Sequence, residues 1–171
     1  MPTLYVITGP SGVGKTTISR KLSESLPNTV LIEGDDIYHQ VIDGYVSPWE
    51  DDNHLPTFWK VCLNMFENYL SDGYNVIFNY VVTLGNLEDI REKFKDYDIK
   101  FIVLMVDEST LLMRDSERPE DCQMKERCIE LLNNFKKKSY DHNYILDTTD
   151  LSIDDTVNII KLNDNFYLKK Q

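Results

Sequence analysis

The chain is short of basic residues and of cysteine, and it contains no long hydrophobic run. Eighteen lysines and arginines stand against 29 aspartates and glutamates, a formal charge of -11. A surface of that sign repels phosphate backbones and anionic lipid headgroups, which argues against nucleic acid as a partner, although a local basic cleft could still receive an anionic small molecule. No apolar stretch approaches membrane-spanning length, and Met1 runs through Pro2 and Thr3 into a strand-like segment without the basic and apolar pattern of a leader. No membrane partner and a cytoplasmic location are therefore expected. The three cysteines, Cys62, Cys122 and Cys128, form no C-x-x-C pair and have no histidine at zinc-ligand spacing, so reduced structural thiols are expected.

What the chain does have is a regular alternation of apolar segments. At 171 residues it has the size of one domain. The runs 3–8, 29–33, 75–82, 100–106 and 143–149 read as strands. Between them, residues 15–25, 54–72, 86–97, 108–118, 124–138 and 153–162 read as helices; in 54–72 the apolar residues Leu55, Phe58, Trp59, Cys62, Phe66, Tyr69 and Leu70 recur at three- and four-residue steps. Strands alternating with helices predict an α/β fold of three layers, a five-stranded parallel sheet between helices. No linker or repeat divides it.

Residues 8–17, TGPSGVGKTT, follow the first strand and open the first helix. Gly9, Gly14, Lys15 and Thr16 fill every fixed position of G-x-x-x-x-G-K-[ST], with Gly12 as a further flexible point. Such a loop turns successive backbone N–H groups around a phosphate, adds the positive end of a helix, and sets the lysine ammonium between β- and γ-oxygens. Ser11, Val13 and Thr17 complete the expected cradle, and the Thr16 hydroxyl is a candidate Mg²⁺ ligand. The pattern points to a nucleoside triphosphate.

Among P-loop proteins, a regulatory GTPase is excluded: no asparagine is followed by lysine, as N-K-x-D requires, and no glycine has an aspartate three residues before it. The chain is also too short for an AAA+ or transporter ATPase module. Asp107 and Glu108, after the apolar run 100–106, imitate a Walker B pair, but Asp107 before Glu108-Ser109 suits a helix cap better. A stronger acidic group is LIEGDDIYH, residues 31–39. The second strand ends there, so its carboxylates emerge at the same sheet edge as the phosphate loop. By i, i+2 alternation Glu33 and Asp35 face the site and Asp36 turns toward the acceptor or the helix start. A carboxylate so placed can orient an attacking hydroxyl or accept its proton. The alternative role for Asp35 or Asp36 is helix capping.

With its loop, its acidic strand end and the segment LLMRDSERPEDCQ, the chain resembles the small P-loop kinases of adenylate-kinase-like fold, nearest the gluconate kinase and shikimate kinase group and the chloramphenicol phosphotransferase-type enzymes. The resemblance implies a kinase using ATP and Mg²⁺ on a hydroxyl of a small-molecule acceptor. It implies that Asp35 orients the hydroxyl, that Glu33 belongs to the metal shell, and that residues 114–127 form a small helical lid. Arg114 and Arg118, four apart, would then share one helix face and reach adenine or phosphates, with Arg127 on the next helix. LDTTDLS, residues 146–152, would pass beneath the adenine.

The chain departs from that pattern in two places. Its third strand carries Asn79 where many such kinases have an aspartate. Its acceptor segment, about 38–60, is aromatic and acidic, with Tyr38, His39, Tyr45, Trp49, Glu50, Asp51, Asp52, His54 and Trp59. Tyr38, Trp49 and Trp59, with Asp35 and Asp36, are the expected acceptor contacts, and such a pocket suits a polyol, an amine or a ring-bearing molecule better than a sugar acid. The histidines read as surface or hydrogen-bonding residues. A nucleoside monophosphate kinase is one alternative, disfavoured because residues 21–90 hold only Lys21 and Lys60 as basic side chains besides histidine; a non-catalytic nucleotide-binding protein is another, favoured by Asn79. The oligomeric state is open between monomer and homodimer.

Overall fold

The computed structural model describes residues 1–48, 50, 53–120 and 123–169. Its centre is a five-stranded sheet, β1 (Thr3–Thr8), β2 (Thr29–Glu33), β3 (Asn75–Asn79), β4 (Asp98–Met105) and β5 (Ile145–Asp147). Every pairing is parallel and the order is β2-β3-β1-β4-β5. The α/β three-layer architecture follows from side-chain alternation in the buried strands. In β1, Leu4 and Val6 point to one face while Tyr5 and Ile7 point to the other. The first face is covered by α3 (Leu55–Ser71) and α4 (Leu84–Lys93), the second by α1 (Lys15–Glu24) and α7 (Ile153–Leu162). α6 (Glu126–Lys137) straddles both, with Cys128 and Leu132 in one core and Phe135 in the other.

The helical periodicity of α3 is realised as expected: Phe58, Cys62, Phe66 and Leu70 are its buried residues. The Phe66 and Phe78 rings meet at 4.8 Å between centroids, a contact of the kind whose truncation to alanine costs about 3–5 kcal/mol. Cys62 and Cys128 are free and buried; burial pushes the Cys62 thiol up to about 12, so it stays protonated. Cys122 lies outside the described residues. No helix among the described residues is long and apolar enough to cross a membrane.

Element ends differ from the expected ones for local reasons. β3 stops at Asn79 rather than residue 82, because the Val82 N–H leaves the ladder and donates to Thr8 Oγ1 at 2.9 Å. α4 starts at Leu84 rather than residue 86, since Thr83 and Asn86 form a reciprocal capping box. Lys100 is buried inside β4, where its Nζ donates to the carbonyls of Ile160, Lys161 and Asn163 at 3.0, 2.9 and 3.2 Å. It satisfies carbonyls at the C-terminal end of α7 and lies 4.5 Å above the Tyr167 ring, tying the last helix and the tail to the sheet.

Candidate active site

The parallel strands deliver their carboxyl ends to one edge, and there β1 opens into the loop that leads to α1. Gly9 begins the loop at φ 146°, and a Cβ at that position would lie 2.4 Å from the Leu104 carbonyl oxygen. The turn can pass this close to β4 only as glycine. Gly14 ends it at φ 98° as the N-cap of α1, which has no side-chain cap and no acidic residue in its first turn. The free amides at this end of a ten-residue helix are open to an anion. Val13 is buried beneath the loop, whereas Thr16 and Thr17 are exposed at the start of α1.

Lys15 folds back over the loop, its Nζ donating to the carbonyls of Gly9 and Pro10 at 3.0 Å each. Withdrawal from water lowers its ammonium to about 8, with Asp35 opposing that shift and Arg118 adding to it. Lys15 thus stands within electrostatic reach of both Asp35 and Arg118. A triphosphate takes the protonated form, so its affinity should be complete below pH 8 and decline toward tenfold per unit above it, with a proton taken up on binding near pH 8.5. Calorimetry in buffers of different ionisation heat reads that uptake directly; a pH-independent affinity between 7 and 9.5 would contradict it.

The i, i+2 alternation does not extend from Glu33 to Asp35. The strand alternation ends at Glu33 because a short helix, α2 (Gly34–Tyr38), begins at once. Glu33 turns to α1, where its Oε1 accepts from Arg20 Nε at 2.9 Å and Nη2 at 2.8 Å. Any metal-shell role for Glu33 would compete with that guanidinium. Asp35 and Asp36 are exposed in the first turn of α2, and the helix has Glu33 as N-cap with no side-chain cap bond. Neither aspartate caps the helix. Gly34 is required by the neighbouring strand end: a Cβ there would come within 2.6 Å of the Tyr80 ring. Burial first, and then the Asp35 charge, push the Tyr80 hydroxyl well above its usual range.

The acceptor segment packs on an aromatic group. Tyr38 is 2% exposed and its hydroxyl donates to the Val46 carbonyl at 2.9 Å, so it fastens the segment. Tyr45 lies edge-on to Tyr38 at 5.9 Å, and His54 Nε2 meets the Gly44 carbonyl at 3.0 Å. Trp59, half-buried, packs edge-on against Phe58, Phe78 and Tyr80. Trp49, Asp51 and Asp52 lie outside the described residues.

On the other side of the loop, α5 (Glu108–Ser116) brings Arg114 inward. Its Nη1 donates to the Val13 carbonyl at 3.0 Å and its Nη2 to the Thr148 carbonyl at 3.3 Å, clamping the phosphate loop to the segment after β5. The helix ends at Ser116, so Arg118 does not continue its face, yet its Nη1 still reaches Ser11 Oγ at 3.4 Å. Arg127 is exposed on α6. Asp107 is the N-cap of α5, accepting from the Thr110 N–H at 2.7 Å, in agreement with the capping assignment.

Asp115, which reads in sequence as one of several surface charges, is 3% exposed and organises the segment after α5. Its carboxylate accepts from the N–H groups of Met124, at 3.0 and 3.1 Å, and Lys125, at 2.7 Å, and pairs with Arg118 at 3.6 Å. Burial opposes its ionisation, but the backbone bonds and Arg118 outweigh it and hold the carboxyl below its usual range. Gln123 adds bonds from its Nε2 to the Ser116 and Arg118 carbonyls, at 3.1 and 2.9 Å. Asp115→Ala should destabilise the fold by about 1–3 kcal/mol, since it strands two N–H groups. Urea unfolding checks this; a midpoint equal to the parent's would refute it.

Among the described residues no three histidine, cysteine, aspartate or glutamate side chains converge on a metal site. Mg²⁺ needs no such cage when phosphate oxygens and water fill most of its shell, and the exposed Thr16 hydroxyl beside the loop fits that minimal protein share.

A model of the AAA domain family matches residues 6–141. The chain belongs to the AAA domain family. Length had argued against an AAA+ ATPase module; this AAA domain instead has the P-loop kinase-like fold of the solved structures it resembles. A sugar kinase from a Janibacter species is 15% identical over 97% of this chain and 96% of its own, with a TM-score of 0.72. The tunicamycin resistance protein of Deinococcus radiodurans is 18% identical over 94% of both chains, TM-score 0.69. A gluconokinase from Sinorhizobium meliloti is 18% identical over 96% of this chain and 95% of its own, TM-score 0.68. No curated protein matches this AAA domain in sequence. The resemblance to small P-loop kinases stated from the sequence is thus found again in the fold.

Proposed function

We propose that the chain is a gluconate kinase-like, ATP-dependent, Mg²⁺-requiring phosphotransferase that moves the γ-phosphoryl group to a hydroxyl of a small-molecule acceptor. The observation that carries this reading is the convergence of Lys15, Asp35 and Arg118 around one loop, with Asp35 free of any capping duty. In the proposed reaction the loop amides from Gly9 to Thr17 hold the triphosphate, and Lys15 exchanges its two carbonyl partners for phosphate oxygens. Asp35 accepts the proton of the acceptor hydroxyl as its oxygen bonds to phosphorus and the bond to the leaving diphosphate breaks. Arg118 neutralises the charge that spreads over the transferred group, while Arg114 keeps the loop in register. Thr16 would hold Mg²⁺, with Glu33 joining its shell on release from Arg20, and the ion would supply charge neutralisation to the phosphates.

The acceptor side is assigned to Asp35 and Asp36 with Trp49 and Trp59 of the segment 38–60; Tyr38, expected there too, is buried with its hydroxyl bonded to the Val46 carbonyl and holds the segment rather than the acceptor. Closure of the segment 114–127 would exclude water. A nucleoside monophosphate acceptor fits this side less well. Among the described residues Arg20, the arginine nearest it in sequence, is engaged by Glu33. The test is a panel of polyols, amino alcohols and ring-bearing alcohols screened for ADP release at fixed ATP and Mg²⁺. Release that depends on one compound class supports the reading; ATP turnover equal with and without every compound rejects it.

A further inference from the structure

α6 runs out in three consecutive lysines, Lys136, Lys137 and Lys138, in a chain with only 18 basic residues. They line a cavity of about 670 Å³ beside the edge strand β5, within the size range of small-molecule sites. Val103 and Met105 of β4, Ile145 of β5 and the buried rings of Phe135 and Tyr140 give it an apolar floor. That floor belongs to the core under α3 and α4, on the face of the sheet away from α1. No residue lining the cavity comes from the loop 8–17, from α2, or from the segments 38–60 and 114–127.

Part of the basic cluster has a local explanation. Lys136 pairs with Glu108 at 3.6 Å, and Lys136 and Lys137 stand in the last turn of α6, where a helix end favours cations. Lys138 is different. It lies one residue beyond the helix, in extended backbone, and its Nζ sits 4.4 Å from the centre of the Phe135 ring. Half-buried there, its ammonium is lowered by burial, and among the described residues no carboxylate offsets that cost. The strand ends bring two carboxylates to the same cavity, Asp107 and Asp147. Thr149 joins them, its hydroxyl accepting from the Asp107 N–H at 2.9 Å and donating to Asp147 Oδ1 at 2.6 Å. Asp107 Oδ1 takes the Ser109 hydroxyl and the Thr110 N–H, and Asp147 Oδ1 also takes the Thr149 N–H. Among the described residues all these bonds fall on Oδ1, which leaves Oδ2 of each aspartate to a ligand.

We propose that this cavity is a second binding site, for a small zwitterion with an apolar body, of the amino-acid class. Its anionic group meets Lys138 and Lys137, its cationic group meets Asp147 and Asp107, and its body lies on Phe135 and Tyr140. With Lys136 matched by Glu108, the remaining lysines and aspartates of the lining balance in charge. A plain anion would face the aspartates and a plain cation the lysines, whereas a zwitterion satisfies both. Beside an apolar floor such charge-assisted bonds are stronger than on open surface. His142, exposed at the same cavity, can donate or accept there. The inference stands apart from the phosphotransfer reading, since the two sites share no residue.

The experiment is calorimetric titration of the full chain with L-phenylalanine, 3-phenylpropionate and phenethylamine, which share a ring and differ in charge, for the parent, Lys138→Met and Asp147→Asn. Phenylalanine should bind the parent about tenfold to a hundredfold more tightly than either analogue, the worth of a hydrogen bond to a charged group. Lys138→Met should weaken phenylalanine by a similar factor and leave phenethylamine as it was. Asp147→Asn should weaken phenylalanine and leave 3-phenylpropionate as it was. A residue that merely shapes the cavity would lower all three ligands together, so the crossed losses, in variants that melt cooperatively, identify direct contacts. Phenylalanine that fails to bind the parent, or binds no more tightly than its analogues, would overturn the proposal. So would phenylalanine affinity retained in both variants, which would place the ligand elsewhere on the protein.

Discussion

Replacing Asp35 by Asn is expected to leave nucleotide affinity nearly intact and to lower phosphoryl transfer by about 10²- to 10⁴-fold, the range for loss of a positioned general base. The side chain is exposed in the first turn of α2, takes no cap bond and sits next to a helix start that Gly34 keeps tight against Tyr80. Nothing in the fold depends on its charge, so stability should change little. Its carboxylate does support the Lys15 ammonium, and the variant should therefore shift the pH limit of triphosphate binding slightly below 8. Measured together, ADP release with the best acceptor of the screen and calorimetric ATP affinity separate the roles. A variant that retains full transfer would remove Asp35 from the chemistry; one that loses ATP binding would make it part of the cradle.

Lys15→Met should have the other large effect, acting on both binding and transfer. The ammonium is held by two loop carbonyls and is depressed to about 8, so the unliganded protein keeps a cation in a place that does not favour it. Loss of a preorganised charge at the transferring group costs about 10²- to 10³-fold in rate. The unliganded variant should melt no lower than the parent, because the poorly solvated charge is gone while the methylene stem stays. A thermal scan with and without ATP shows both sides of this exchange. Lower stability without ligand, or an undiminished ATP-induced shift, would contradict it.

The expected strands and helices are found nearly in place because the sheet is buried on both faces and its helices carry regular apolar stripes. The phosphate loop was equally legible: its glycines and lysine stand at contiguous positions whose spacing is set by the shape of one turn. Asp107 was assigned to capping on local grounds, and local bonds to Ser109 and Thr110 are what it makes. Residues that act over long sequence distances were hidden. Asp115 looks like a surface acid until the chain returns with Met124 and Lys125, and Lys100 looks like the polar end of a strand until α7 ends above it. Glu33 and Asp35 were paired by strand periodicity, which cannot register that a helix starts between them at Gly34. Arg114, expected at the nucleotide, donates to the carbonyls of Val13 in the phosphate loop and of Thr148, contacts separated from it by 101 and 34 residues that no local pattern announces.

The central claim is that a hydroxyl, not water, receives the phosphate held by this loop. ³¹P NMR of the protein with ATP, Mg²⁺ and each alcohol of the panel tests it most directly. The account predicts a new phosphomonoester resonance that grows with ADP, requires one class of alcohol and disappears in Asp35→Asn. Inorganic phosphate appearing at one rate whatever alcohol is present, and undiminished by Asp35→Asn, would contradict it.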